Sequence, residues 1–232
     1  MARSRGGKRR GSTKPSWRTS LARSAGSRDP LPVIVIASDD ARTAPAYFEA
    51  FARHLKGIAT LSIVKAPCYG GTPIETLQRA SERLRRLNPP SEEKNENDTT
   101  LAFALVDTEK RPDVEDQVKA AKERSTDTGV QIITSVPCYE LWTLLHFRDT
   151  GELFANCDAV RTQIKREWKK KFDKEFGDKK AQADYDKLIP LRDDAVRNAK
   201  KHCCMSPPDP SFTEVYKVIE AIDEACKKGQ AK

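Results

Sequence analysis

No stretch of this chain approaches the roughly 20 consecutive apolar residues needed to cross a bilayer, which excludes an integral membrane helix. None of its six cysteines, at 68, 138, 157, 203, 204 and 226, stands in C-x-x-C spacing, and no signal peptide precedes them. That pattern predicts reduced thiols in a cytoplasmic chain rather than a disulfide framework. Cys203 and Cys204 beside His202 are poorly spaced to chelate one tetrahedral ion. Neither G-x-x-x-x-G-K-[ST] nor G-x-G-x-x-G occurs, which argues against ATP or dinucleotide binding. Acidic residues are missing from positions 1–28, where Arg3, Arg5, Lys8, Arg9, Arg10, Lys14, Arg18, Arg23 and Arg28 stand.

That local lack of acid accounts for the net charge of +8, because the remainder carries 33 basic against 34 acidic residues. The chain therefore reads as a near-neutral globule with a basic arm over 1–30. An Arg/Ser/Gly segment buries too little surface to fold alone and is expected to be disordered. Arg3, Arg5, Lys8, Arg9 and Arg10 are candidate contacts to nucleic-acid phosphates; the alternatives are a solvating tail or a transit peptide. Elsewhere, 38% hydrophobic residues suffice for a core.

From residue 31 the pattern alternates between strand and helix. "LPVIVIAS" (31–38) is a continuous β-branched run, as in a strand covered on both faces. Residues 45–56 place Phe48, Phe51 and Leu55 at helical spacing. Residues 58–64 predict a second strand. Residues 72–87 open with Thr72, Pro73 and Glu75, a capping-box helix start. A polar loop is expected over 88–100, then a strand at 101–106, a helix near 113–125 and a strand at 130–136. Strands separated by helices imply crossover connections and a mainly parallel sheet, an α/β domain over 31–150. Over 151–232 the strands are expected to stop. There Val160, Ile164, Trp168, Phe172 and Phe176 predict one apolar stripe on a long helix, with its lysines on a solvated face. Two more helices are expected near 183–202 and 212–228, a C-terminal helical extension.

Ligands of parallel sheets gather beyond the carboxyl ends of the strands. The first strand ends in Ser38-Asp39-Asp40 and the third in Asp107-Thr108-Glu109. If these strands are neighbours, three or four carboxylates converge, and their repulsion favours a hard cation such as Mg²⁺. Such acids also commonly cap helices or satisfy loops. Glu140, just after the fourth strand, is either a further metal or water ligand or a favourable charge at a helix start. Arg42 is either a substrate-phosphate contact or a surface arginine, and His146 reads as a hydrogen-bonded core histidine.

"VIVIASDDARTAPAYFEAF" resembles the opening of RloB-like proteins, a strand followed by E-G-E-x-T-E-x-x-Y-F. "SVPCYELWTLLHF" (135–147) resembles the N-P-x-F-E-x-W-L-L-L-H-F signature of that family, and "AVRNAKKH" and "DPSFTEVYKVIEAI" its closing helices. The likeness runs from about residue 32 to 222. It implies a Toprim-like sheet, with a strand-end acid and a D-x-D pair holding Mg²⁺ (or Mn²⁺) for phosphodiester chemistry in bacterial restriction-modification and phage defence. On that resemblance Asp39, Asp107 and Glu109 are the metal ligands and, with Glu140, the candidate catalytic residues. Asp40, Ala41, Ala44 and Val136 depart from the family pattern, replacing a Gly, two acids and an Asn. The leading expectation is a metal-dependent nuclease acting on DNA or RNA, under the control of a partner such as an ATPase. The alternative is a non-catalytic nucleic-acid-binding or adaptor subunit with a degenerate metal site.

Overall fold

The structure, a computed structural model, describes residues 31–68, 70–88, 100–176, 185–203 and 211–230. The basic arm with Arg3, Arg5, Lys8, Arg9 and Arg10, and most of the expected 88–100 loop, lie outside the described residues.

Strand β1 (Val33–Ser38) leads to helix α1 (Thr43–His54), β2 (Thr60–Val64), α2 (Pro73–Leu87), β3 (Thr100–Asp107), α3 (Pro112–Ser125) and β4 (Val130–Val136). Among the described residues four further α-helices follow: α4 (Glu140–Leu145), α5 (Cys157–Phe172), α6 (Arg192–Cys203) and α7 (Val215–Gln230). The two-residue strand β5 (Phe212–Thr213) lies between the last two. The sheet order is β2-β1-β3-β4-β5, with the first four strands parallel and β5 antiparallel to β4. The expected α/β architecture is therefore present, with helices on both faces.

Alternation along the strands explains the two faces. Ile34 and Ile36 of β1, Phe103 and Leu105 of β3 and Ile133 of β4 point into the core beneath α1 and α4–α7. The residues between them, Val35, Ala37, Ala102, Ala104, Val106 and Ile132, point into the core beneath α2 and α3. A strand buried on both sides has no polar face to present, and so β1 reads as an unbroken apolar run.

Helix α1 supplies the centre of the first core. Tyr47 lies edge-on to Phe48, Trp142, Tyr185 and His146 at centroid distances of 5.3–6.1 Å. His146 is 3% exposed, with Nδ1 2.8 Å from the Trp142 carbonyl and Nε2 3.2 Å from the Tyr47 hydroxyl. It is the core histidine the sequence suggested. Helix α2 begins with the full capping box: Glu75 N–H donates to Thr72 Oγ1, and Thr72 N–H donates to the Glu75 carboxylate.

Three expectations beyond residue 150 need correction. Strands do not stop there, because β5 pairs Thr213 with Ser135 and Phe212 with Val136. Two residues of ladder carry too little periodicity to be read from sequence. Their place is fixed by Glu214, whose N–H donates to the Thr134 carbonyl and whose carboxylate accepts from Thr134 N–H. The long apolar stripe is also shorter than expected. Helix α5 ends at Phe172, where Asp173 takes the left-handed conformation at φ 51°, and the Phe176 ring packs against Trp168 at a tilt, with centroids 5.0 Å apart. Finally, α6 starts only at Arg192, after short 3-10 turns at Tyr185–Lys187 and Ile189–Leu191.

Candidate active site

The neighbouring strands β1 and β3 place their ends side by side, with Ser38 opposite Leu105. The acids that follow therefore line one cleft, and Asp39 reaches Asp107, but among the described residues no three of these carboxylates lie within 4.8 Å of one another. They open onto a cleft of about 730 Å³, lined by Asp39, Asp40, Asp107, Glu109, Glu140 and Arg161 among others.

Asp39 sits one residue past β1, and its N–H donates to the Leu105 carbonyl, extending the ladder. Its Oδ2 accepts the Asp107 N–H at 2.7 Å. Burial pushes the Asp39 carboxyl up to about 7, opposed by that N–H bond and reinforced by the charges of Asp40 and Glu109. Asp107 is pushed well above the usual carboxylate range by burial first, then by the charges of Asp39 and Glu140. Among the described residues neither acid has a basic side chain in ion-pair contact. Glycine at position 70 closes the cleft on the Asp39 side. Gly70 adopts φ +86°, and the next N–H, from Gly71, donates to the Asp39 carbonyl at 3.0 Å.

The other acids have different partners. Asp40 caps α1: its carboxylate accepts the N–H groups of Arg42, Thr43 and Ala44, the last two at 2.8 and 3.0 Å. It thereby fixes where Arg42 stands, exposed on the cleft rim. Glu109 and Lys110 both take positive φ, 48° and 56°. Glu109 N–H donates to the Pro137 carbonyl, while its carboxylate turns outward to lie 3.6 Å from Arg111 Nη1. Glu109 thus lines the cleft but is paired with a cation, unlike Asp39 and Asp107.

Glu140 is the first residue of α4 and is 7% exposed. Its Oε1 accepts from Arg161 Nε at 2.9 Å and Nη2 at 2.7 Å, with Thr43 Oγ1 at 3.4 Å. Sequence reasoning left Arg161 unnoticed. The available signal was a strand-end carboxylate needing a cation, and Arg161 stands off the apolar stripe in the next helix. It also missed that Cys138 and Cys157, 19 positions apart, come together beside Glu140.

The donor chemistry at Asp39 and Asp107 fits a hard divalent cation: two carboxylates at neighbouring strand ends, raised in pKa chiefly by burial, with no ion-pair partner among the described residues. Among the described residues no helix is long and apolar enough to cross a membrane.

No curated protein and no solved structure matches the chain. A family model described as RloB-like protein matches residues 34–222, from β1 into α7 and so across both cores and the cleft. The chain belongs to the RloB-like family.

Proposed function

We propose that this chain is a Toprim-like, metal-dependent nuclease that cleaves phosphodiester bonds in nucleic acid, acting in the bacterial cytoplasm in antiviral defence. The observation that carries the reading is the juxtaposition of Asp39 and Asp107 at the ends of adjacent parallel strands, without a basic partner for either among the described residues. Asp39 and Asp107 would hold Mg²⁺ (or Mn²⁺), with Glu109 as the third carboxylate of the set. When bound, such an ion supplies Lewis-acid polarisation of a phosphoryl oxygen and a water of lowered pKa.

The chain's own residues would do the rest. The β1–β3 ladder holds the two carboxylates in register. Asp40 fixes the first turn of α1 and so aims Arg42 at the rim, where a guanidinium suits a substrate phosphate. Glu140, held by Arg161, presents a paired charge rather than a free anion, and the half-exposed guanidinium adds a further positive group to the cleft wall. The arm residues Arg3, Arg5, Lys8, Arg9 and Arg10 would add sequence-independent phosphate contacts. A partner ATPase would supply the trigger.

One specific observation favours the second reading, a nucleic-acid-binding adaptor. Glu109 is paired with Arg111 and Glu140 with Arg161, and Asp40 is occupied by the N–H groups that open α1, which leaves Asp39 and Asp107 as the strand-end acids with neither an ion-pair partner nor a helix start to cap among the described residues. Titrating Mg²⁺ and Mn²⁺ against single- and double-stranded DNA and RNA separates the two, with Asp107→Asn as the control. The nuclease gives metal-dependent cleavage that falls more than about hundredfold in the variant, beyond the loss expected for an outer-shell group. Nucleic-acid binding that needs no metal and no Asp107, with no cleavage, supports the adaptor instead.

A further inference from the structure

The cleft carries a second donor set, of softer chemistry than the carboxylate pair. Cys138 follows β4 by two residues, Glu140 opens α4 and Cys157 opens α5. One ligating atom from each lies within 4.8 Å of the other two, the one such group of three found among the described residues. Cys138 is 1% exposed, and Cys157 is partly exposed on the cleft wall. Among the described residues, the hydrogen bonds that the Glu140 carboxylate accepts fall on Oε1, which leaves Oε2 for a further partner.

We propose that Cys138, Cys157 and Glu140 form a binding site for a thiophilic divalent cation, Zn²⁺ in the first instance, with its fourth position open to the cleft. The bland account of the two thiols is that they fill core volume as small hydrophobes. That account gives no reason for a buried carboxylate to be turned toward them. It also gives no reason for an arginine to hold only one of its oxygens.

Charge supports the cation. Two thiolates and one carboxylate carry −3; a divalent ion and the adjacent Arg161 guanidinium together carry +3. Arg161 would then be the outer partner that orients the Glu140 ligand, a role such groups commonly take around metal sites. On binding, each thiol gives up its proton to solvent and forms one sulfur–metal bond, so the site's protons and charges balance. Thiolate donors select Zn²⁺ over Mg²⁺ or Mn²⁺, whereas Asp39 and Asp107 offer oxygen alone. The two sets would load different ions in one cleft. Three protein ligands with an open fourth position is the arrangement of a zinc ion that receives a further ligand, not of a closed structural site.

The test uses full-length protein, stripped of metal and reduced with a non-chelating phosphine, in excess Mg²⁺. Zn²⁺ uptake is measured by elemental analysis after desalting, and Co²⁺ uptake by its near-ultraviolet thiolate charge-transfer band. The expected result is one equivalent of Zn²⁺ per chain and a thiolate–cobalt band. Cys157→Ser should lose the band and bind Zn²⁺ more than about hundredfold more weakly, as for a direct ligand rather than an outer-shell group. Cys138→Ser should do the same. Because Cys138 is buried, circular dichroism melting checks its fold, and the partly exposed Cys157 carries the test alone if Cys138→Ser unfolds. Asp107→Asn should keep its zinc whatever it does to cleavage, so failure here is distinct from failure of the nuclease reading. The proposal is overturned if the reduced wild-type protein takes up no Zn²⁺. It is equally overturned if uptake survives in Cys157→Ser, which would place the ion elsewhere.

Discussion

Asp107 donates its backbone N–H to Oδ2 of Asp39 at 2.7 Å, so two acids that repel through their charges are tied together through the main chain. The bond crosses from the end of β3 to the end of β1, two strands paired along six residues. It holds the Asp39 carboxylate against the Asp107 main chain whether or not a cation is present. On the proposed metal-binding reading such a site is preorganised: the repulsion is met during folding, and binding an ion would relieve it.

Removing one charge while keeping the shape should therefore stabilise the metal-free protein. Asp107→Asn retains the N–H to Asp39 and deletes the repulsion felt from Asp39 and Glu140. A gain of about 1–2 kcal/mol would raise the melting temperature by roughly 2–8 °C for a chain of this size. Mg²⁺ should raise the melting temperature of the wild type and leave that of the variant unchanged. Thermal scans with and without Mg²⁺ check this, and a variant that is both less stable and still Mg²⁺-responsive would contradict the site.

The raised pKa of Asp39 makes stability depend on pH in a definite direction. The folded protein holds this proton up to about 7, whereas the unfolded chain releases it near the ordinary 3.8. The proton's contribution to stability is complete below the lower value and is lost as pH rises through the upper one. His146 acts in the opposite sense. Burial lowers it to about 4, so its contribution is present above the ordinary 6.5 and is lost as pH falls toward 4. Between about pH 4 and 6.5 the two contributions oppose each other, so without metal the melting temperature of the wild type should decline as pH rises from about 6 through 7 and level off above. Asp39→Asn should flatten that decline and keep the acid-side loss. A decline of equal size in both proteins would assign it to other groups.

How much of this could be read from sequence depends on whether the cause is local. The α2 capping box needs only Thr72 and Glu75, three positions apart, and it was legible. So was β1, because burial on both faces leaves a continuous apolar run. The meeting of Asp39 with Asp107 was legible only conditionally, since strand order is a matter of tertiary packing, not of periodicity. Glu109 was seen as a carboxylate at a strand end. The positive φ of Glu109 and Lys110, which accompanies its turn toward Arg111, leaves no mark in the pattern because neither is glycine. The pairing of Arg161 with Glu140 and the approach of Cys157 to Cys138 span about 20 residues across a loop and a helix. Nothing in either segment alone announces them.

Deleting residues 1–28 should weaken nucleic-acid binding in proportion to the phosphates the arm touches. Each contact contributes about −0.9 to the slope of log affinity against log salt for duplex DNA. The segment carries nine positive charges. A truncated chain should show a slope shallower by several units while any metal-dependent cleavage at saturating nucleic acid stays near the full-length rate. Anisotropy titrations over a salt series measure the slope, and an unchanged slope would make the arm a solvating tail.

The Arg161–Glu140 pair offers the sharpest structural test, because the two partners differ in burial. Glu140 is 9% exposed at its side chain and Arg161 49%. Arg161→Met leaves a buried carboxylate without its cation, next to Asp40 and Asp107, whose pKa values its charge already raises. Loss of a partner from a buried pair costs about 3–5 kcal/mol, and the solvent reaching Arg161 reduces that to about 2 kcal/mol. Glu140→Gln in the same background removes the stranded charge, and should recover most of the loss in metal-free protein. A double-mutant cycle of thermal or urea unfolding measures the coupling. Additive losses would mean that Glu140 is held by the packing of α4 rather than by Arg161. In that case the arginine would be free to meet substrate phosphate directly.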